Sequence, residues 1–236
     1  MTDPLLYGIK GVLFDLDGTL FDHRSAADAG IAAWFADRFP GHPRQDEAAG
    51  IWAALEVPYL AMWQSGRCTV QEQRRLRFAA LCEQLAVPAP DDLDAAYAEF
   101  AARYRQSWAA FPDAAGTVAA LGGFALGVLT NGAQRMQEEK VRTIGLHGLV
   151  GPVLTGETLD GHFKPSPAAY TGAAAALGLA PREVLLVGDD VTNDVTGPAV
   201  TGMRSLWLDR LGAERPPAGF PRITSLKELA PLLTGG

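Results

Sequence analysis

Short apolar runs and helical apolar stripes divide the chain into three stretches. Val12, Leu13 and Phe14 form an unbroken apolar run of the kind a buried parallel strand shows. From Asp22 to about residue 108 such runs vanish. Apolar positions recur instead at three- and four-residue steps: Ile31, Trp34 and Phe35; Ile51, Leu55, Tyr59 and Met62; Phe78, Leu81, Cys82 and Leu85; Leu93, Tyr97, Phe100, Tyr104 and Trp108. Ser25, Thr69 paired with Glu72, and Asp91 are the expected helix caps. Pro40-Gly41 and Pro88-Ala-Pro90 end helices, and Pro58 is expected to kink or divide the second one. Strand patterns then return at Phe124–Leu129, Pro152–Thr155, Val184–Val187, Arg204–Leu208 and Arg222–Thr224. Helical stretches between them start at Pro112-Asp113, near Met136, at Ser166-Pro167, at Pro198 and at Ser225 with Glu228. Pro216–Pro221 reads as a surface loop.

This alternation predicts an α/β fold, a doubly wound and mostly parallel sheet built from residues 1–22 and 109–236. An all-helical domain, residues 23–108, is inserted after the first strand. Its aromatic stripe reads as bundle core, and Arg67, Arg74 and Arg77 as solvated helix faces. With 236 residues, 48% of them hydrophobic, the chain can bury a sizeable core. The net charge is −7 and no Lys/Arg-rich run occurs, which argues against a nucleic-acid partner. The longest apolar stretches fall short of a membrane span, and Met1–Tyr7 lacks the features of a signal peptide. Cys68 and Cys82 make no disulfide framework and suit a reducing compartment, so a cytoplasmic location is expected. No signal for an oligomeric partner is visible.

The polar clusters fall where such a sheet binds ligands. Asp15 and Asp17, Thr130 and Asn131, Lys164, and Asp189, Asp190 and Asp194 all lie at the carboxyl end of an expected strand or in the loop before a helix. They can converge on one sheet edge. No Gly-x-Gly-x-x-Gly or P-loop string accompanies them, so a dinucleotide or ATP is not indicated. Several Asp with one Lys and one Thr make an oxygen-ligand site that suits Mg²⁺ better than zinc. Asp15 and Asp189 would offer carboxylate oxygens, and Asp17 its backbone carbonyl.

Phe14-Asp-Leu-Asp-Gly-Thr-Leu20 resembles the first motif of the haloacid dehalogenase superfamily. Leu129-Thr-Asn-Gly132, Lys164-Pro-Ser-Pro167 and Val187-Gly-Asp-Asp-Val-Thr-Asn-Asp194 resemble the second, third and fourth, in the same order. The resemblance implies an α/β core and, at the position of residues 23–108, a helical cap that sets substrate choice. It implies that Asp15 is a nucleophile and Asp17 a general acid/base, with Thr130 and Lys164 completing the catalytic group. Thr130, Asn131 and Lys164 are then expected to bind a substrate phosphate, Asp15, Asp17 and Asp189 to hold Mg²⁺, and Asp190 and Asp194 to orient that shell. Dehalogenase members lack the second Asp of Asp-x-Asp. Its presence as Asp17 leans the expectation to a Mg²⁺-dependent phosphatase of a small phosphorylated metabolite, similar to the phosphoglycolate-phosphatase and nucleotidase-like branch. A 2-haloacid dehalogenase is the alternative within enzymes. A phospho-accepting receiver-like signalling module is the alternative from another class. His23 and His162 read as surface loop histidines.

Overall fold

A computed structural model of the protein describes residues 7–210, 212 and 219–234, so Pro216 and Pro217 of the expected loop lie outside the described residues, as do residues 1–6. The chain divides into two compact units: residues up to Asp22 with those from Ala110 onward, and His23–Ala109.

The second unit is helical, with α1 (His23–Arg38), α2 (Ala48–Gln64), α3 (Val70–Gln84) and α4 (Leu93–Gln106). The Thr69–Glu72 capping box forms: the Thr69 hydroxyl accepts the Glu72 N–H at 3.1 Å, and the Glu72 carboxylate accepts the Thr69 N–H at 2.7 Å. The cap of α4 is Asp92 and not Asp91, because the carboxylate of Asp92 reaches the N–H of Ala95 at 2.9 Å. Pro58 does not divide α2, which runs through it unbroken. A proline inside a helix costs about 3 kcal/mol. Burial of Trp52 and Leu55 on the same helix offsets that cost.

Trp52 is the hub of the bundle core. Its ring meets Phe78 and Phe100 edge-on at 5.0 and 4.9 Å, and Phe78 in turn meets Trp34 at 4.9 Å. Arg77 is not a solvated residue. It falls one helical turn from both Gln73 and Leu81, so it shares their buried face of α3. Its guanidinium lies 3.7 Å from the centre of the Trp52 ring and donates to the Trp52 carbonyl at 2.6 Å and to Glu56 at 3.2 Å. Nor is His23 a surface loop residue. It is the first residue of α1, with Nδ1 2.7 Å from the Tyr104 hydroxyl and Nε2 2.9 Å from Glu56. His162 is exposed, as expected.

The first unit is built on a sheet whose described strands are β1 (Gly11–Phe14), β2 (Ala125–Leu129), β3 (Val153–Leu154), β4 (Val184–Gly188), β5 (Arg204–Leu208) and β6 (Arg222–Ile223). They lie in the order β3-β2-β1-β4-β5-β6, and every pair is parallel. β1 is central and fully buried, with Leu13 opposite Gly127 on one side and Leu186 on the other. The connected helices are α5 (Ala114–Ala120), α6 (Gln134–Thr143), α7 (Pro167–Ala176), α8 (Gly197–Ala199) and α9 (Leu229–Thr234). Leu13, Leu129, Leu186, Tyr170 and Met203 pack in one buried cluster. The helical path after β4 starts earlier than Pro198. A π-helical turn spans Val191–Thr196, capped by Asp190, whose carboxylate accepts the N–H groups of Thr192 and Asn193 at 2.9 and 2.7 Å. This turn is short and mostly polar, so it has no apolar period to announce it.

Strand order reverses about β1: β2 and β3 lie on one side, β4 to β6 on the other. Connections on opposite sides diverge and leave a crevice beyond the carboxyl ends of β1 and β4. The chain places acids at both ends.

Candidate active site

Asp15 follows β1 directly and still belongs to its ladder, since its N–H donates to the Val187 carbonyl at 2.9 Å. The next residues curl tightly. The carbonyl of Leu16 accepts the N–H groups of Thr19, Leu20 and Phe21 at 3.3, 3.0 and 2.9 Å. Gly18 takes φ +91°, and a Cβ there would overlap the carboxylate of Asp189. Asp189 sits at the end of β4, where the Thr19 hydroxyl donates to it at 3.2 Å. Gly188 likewise leaves room for the carboxylate of Asp194.

Lys164 arrives from the loop before α7 and is 4% exposed. Its ammonium donates to Asp15 at 2.8 Å and to Asp194 at 2.6 Å. Asn131, just past β2, holds this loop. Its amide donates to the Lys164 carbonyl at 2.7 Å and accepts the Lys164 N–H at 2.8 Å. Asn131 was expected on a phosphate, yet both ends of its amide meet Lys164's backbone. Carboxylate oxygens of Asp15, Asp189 and Asp194 lie within 4.8 Å of one another. Asp194 therefore stands with Asp15 and Asp189 in one group of acids that could hold an ion. The carboxylate of Asp190 turns instead to the helix start, while its N–H donates to Asp194 at 3.1 Å.

Burial and crowding dominate the electrostatics. The Asp15 carboxyl is pushed well above the usual carboxylate range, first by loss of hydration, with Asp194 and Asp189 adding and Lys164 opposing. Asp194 is raised for the same first reason, also against Lys164. Asp189 is pushed up to about 6 by loss of hydration and then by the charge of Asp194, against the Thr19 hydroxyl bond. Asp189 is nonetheless the open member of the set as a residue, so its value is the most easily screened. Burial alone would lower Lys164, but Asp15 and Asp194 hold it above its ordinary value and keep it charged. Three carboxylates and one ammonium leave a formal charge of −2, matched in magnitude by a divalent cation.

Asp17 faces elsewhere. Its carboxylate is gripped by the Lys140 ammonium at 2.6 and 2.8 Å and accepts the Gln137 amide at 2.9 Å. The same amide nitrogen donates to the Thr130 hydroxyl at 2.7 Å. Gln137 and Lys140, both buried on α6, were not among the expected site residues. A signal existed: Lys140 occupies the apolar stripe of Met136, Val141 and Ile144, where a charge needs a partner.

Residues 9–202 match the family of haloacid dehalogenase-like hydrolases. The chain belongs to that family. Among relatives of this hydrolase, phosphoserine phosphatase of Thermus thermophilus is 35% identical over 132 residues, covering 54% of this chain and 52% of that protein, about half of each. Pyrimidine 5'-nucleotidase YjjG of Escherichia coli is 28% identical and covers 94% of this chain and 96% of its own. The solved structure of L-2-haloacid dehalogenase from Xanthobacter autotrophicus is 25% identical, with a TM-score of 0.78 over 96% of this chain and 99% of that one. The family thus includes phosphatases and dehalogenases as relatives of this enzyme. No described helix is long and apolar enough to cross a membrane.

Proposed function

We propose that this hydrolase is a Mg²⁺-dependent phosphatase that cleaves a small phosphorylated metabolite through an aspartyl-phosphate on Asp15. The observation that carries the reading is Asp17, two residues beyond Asp15 and held by a buried lysine and a buried glutamine. A halide departs without a proton, whereas an alkoxide needs one. A second carboxyl two residues beyond the nucleophile, built in at the cost of burying Lys140, supports a reaction with an alkoxide leaving group.

The donor set fits a hard divalent ion, being all oxygen with a formal deficit of two charges. Asp15, Asp189 and Asp194 would hold it, with the Asp17 backbone carbonyl as a further oxygen. The bound ion would supply positive charge for the phosphoryl oxygens. Asp15 attacks phosphorus in line, and the phosphorus–oxygen bond to the leaving group breaks. In its protonated form Asp17 gives a proton to the departing oxygen and ends as the carboxylate that the Lys140 ammonium holds. It then takes one from the water that attacks the aspartyl-phosphate, which frees Asp15 and inorganic phosphate. Such acid–base help is typically worth ~10²–10⁴ in rate. Lys164 holds Asp15 in place and, with the Thr130 hydroxyl, faces the charge that develops on the transferred group. Asp190 and Asp194 keep this arrangement in register at the start of the π-helical turn.

The second reading, a 2-haloacid dehalogenase, draws on relatives such as the (S)-2-haloacid dehalogenase of Xanthobacter autotrophicus, 30% identical over 87% of this chain. One experiment separates the two. Purified protein is given phosphorylated sugars, nucleotides and organic acids, and separately 2-haloacids, each with Mg²⁺ or EDTA. Phosphate release that needs Mg²⁺ and vanishes in Asp15→Asn supports the phosphatase. Halide release that persists in EDTA, with no phosphate released, overturns it.

A further inference from the structure

Two buried polar side chains that touch Asp17, Gln137 and Lys140, have no step of their own in the proposed reaction; they are 1% and 2% exposed. They stand three residues apart on α6 and so share a face. The Lys140 ammonium holds both oxygens of Asp17 and rests 4.8 Å from the centre of the buried Phe21 ring. The Gln137 amide nitrogen bridges Asp17 and Thr130. Room for that amide is built into the turn after β2, because a Cβ on Gly132 would overlap it.

We propose that Lys140 and Gln137 are positioning residues for this hydrolase: Lys140 fixes the carboxyl of Asp17, and Gln137 ties it to Thr130 so that the threonine hydroxyl is turned outward as a donor. The inference rests on the phosphatase reading and deepens it. Hydrogen-bond chemistry sets the direction. A carboxylate facing an ammonium only accepts, so the end of Gln137 that meets Asp17 must be its NH₂. The second hydrogen of that NH₂ goes to Thr130, whose oxygen therefore accepts. The hydrogen of Thr130 is thereby directed away from Gln137. Phosphoryl oxygens only accept, and a hydroxyl oriented to donate suits them. One contact chain thus couples the proton donor for the leaving group to a hydroxyl that binds the transferred group.

The test is steady-state kinetics of Lys140→Met, Lys140→Arg and Gln137→Leu beside the wild type, with folding checked by circular dichroism. Two substrates are compared, an alkyl phosphate and p-nitrophenyl phosphate, whose leaving group needs little protonation. Lys140→Met should lower kcat on the alkyl phosphate about 10²-fold while p-nitrophenyl phosphate loses less than about 10-fold, because only the first depends on a well-placed proton donor. KM should stay near the wild-type value, and Lys140→Arg should recover part of kcat. Gln137→Leu should also raise KM, by about 10-fold for one lost charge-assisted contact. Equal losses on both substrates, or unchanged kcat in a folded Lys140→Met, overturn the inference alone. If Lys140→Met does not fold, the substrate dependence of Lys140→Arg and the KM of Gln137→Leu decide by the same criteria. A wild type that hydrolyses neither substrate nor any other phosphomonoester overturns the phosphatase reading and this inference with it.

Discussion

Replacing Asp113 by Asn probes how the first unit is held together beside the site. Asp113 is 8% exposed and precedes α5. Its carboxylate accepts four hydrogen bonds: from the two terminal nitrogens of Arg210 at 3.0 and 2.9 Å, from the Ser225 hydroxyl at 2.8 Å and from the Leu226 N–H at 2.9 Å. These tie together the segments before α5, after β5 and before α9. An Asn can accept about two of the four, and its NH₂ then faces donors. Two lost charge-assisted bonds at ~1.5 kcal/mol each amount to about 3 kcal/mol. That lies at the low end of the ~3–5 kcal/mol expected when one partner of an enclosed ion pair is removed. The pH dependence follows from the same contacts. Loss of hydration is the largest influence on this carboxyl and raises it. The bonds from Arg210, Ser225 and Leu226 and the Arg210 charge together outweigh that and hold it below its ordinary value. A depressed folded-state value means that the stabilisation is complete above the unfolded value of ~3.9 and fades as pH falls through the lower folded one. Urea unfolding can be followed in protein labelled with 5-fluorotryptophan, because Trp207 is the one tryptophan outside residues 23–109. The gap between wild type and Asp113→Asn should stay near 3 kcal/mol from pH 8 to 5 and begin to narrow as pH falls below the unfolded value of ~3.9. A gap under ~1 kcal/mol at pH 7, or one that persists unchanged to pH 3, would refute this reasoning. The same Arg210 donates to the Thr19 carbonyl at 2.7 Å, so the variant should also loosen the turn that carries Asp17 and Thr19.

Two further outcomes are expected. Gly18→Ala adds a methyl group at φ +91° that overlaps the Asp189 carboxylate, so turnover should fall ~10²-fold while circular dichroism stays native; near-normal activity would show that Asp189 need not sit where it does. Divalent cation should raise the thermal midpoint of metal-free protein, by about 2.7 kcal/mol of stability at 100 times its Kd, and Asp189→Asn should abolish that rise. With Asp189 pushed up to about 6, its ionisation opposes folding in metal-free protein as pH climbs from ~4 through 6. A metal-induced rise that survives Asp189→Asn would remove Asp189 from the cation site.

The parts of the site visible in the chain are those whose signal is local. Val12–Phe14 followed by Asp15 marks a strand that ends in an acid, because the apolar run and the carboxylate are neighbours in sequence. Thr69 with Glu72 marks a helix start for the same reason. Where several local signals compete, the pattern was off by a residue or a role. Asp91 and Asp92 both suit a cap, and only the path of α4 decides for Asp92. Pro58 should break a helix in isolation, but the buried face of α2 overrides it.

What the sequence alone determined is the fold class, the family, and the order of acids, threonine and lysine along the strand ends, since each of these follows from short-range pattern. Tertiary structure decided which partner each charge meets. Asp17 meets Lys140 across 123 positions, Lys164 meets Asp15 across 149, and Arg77 lies on Trp52. Such pairings arise only when helices dock on a sheet or on each other. A desolvated charge must then take whichever opposite charge or ring the packing brings within reach.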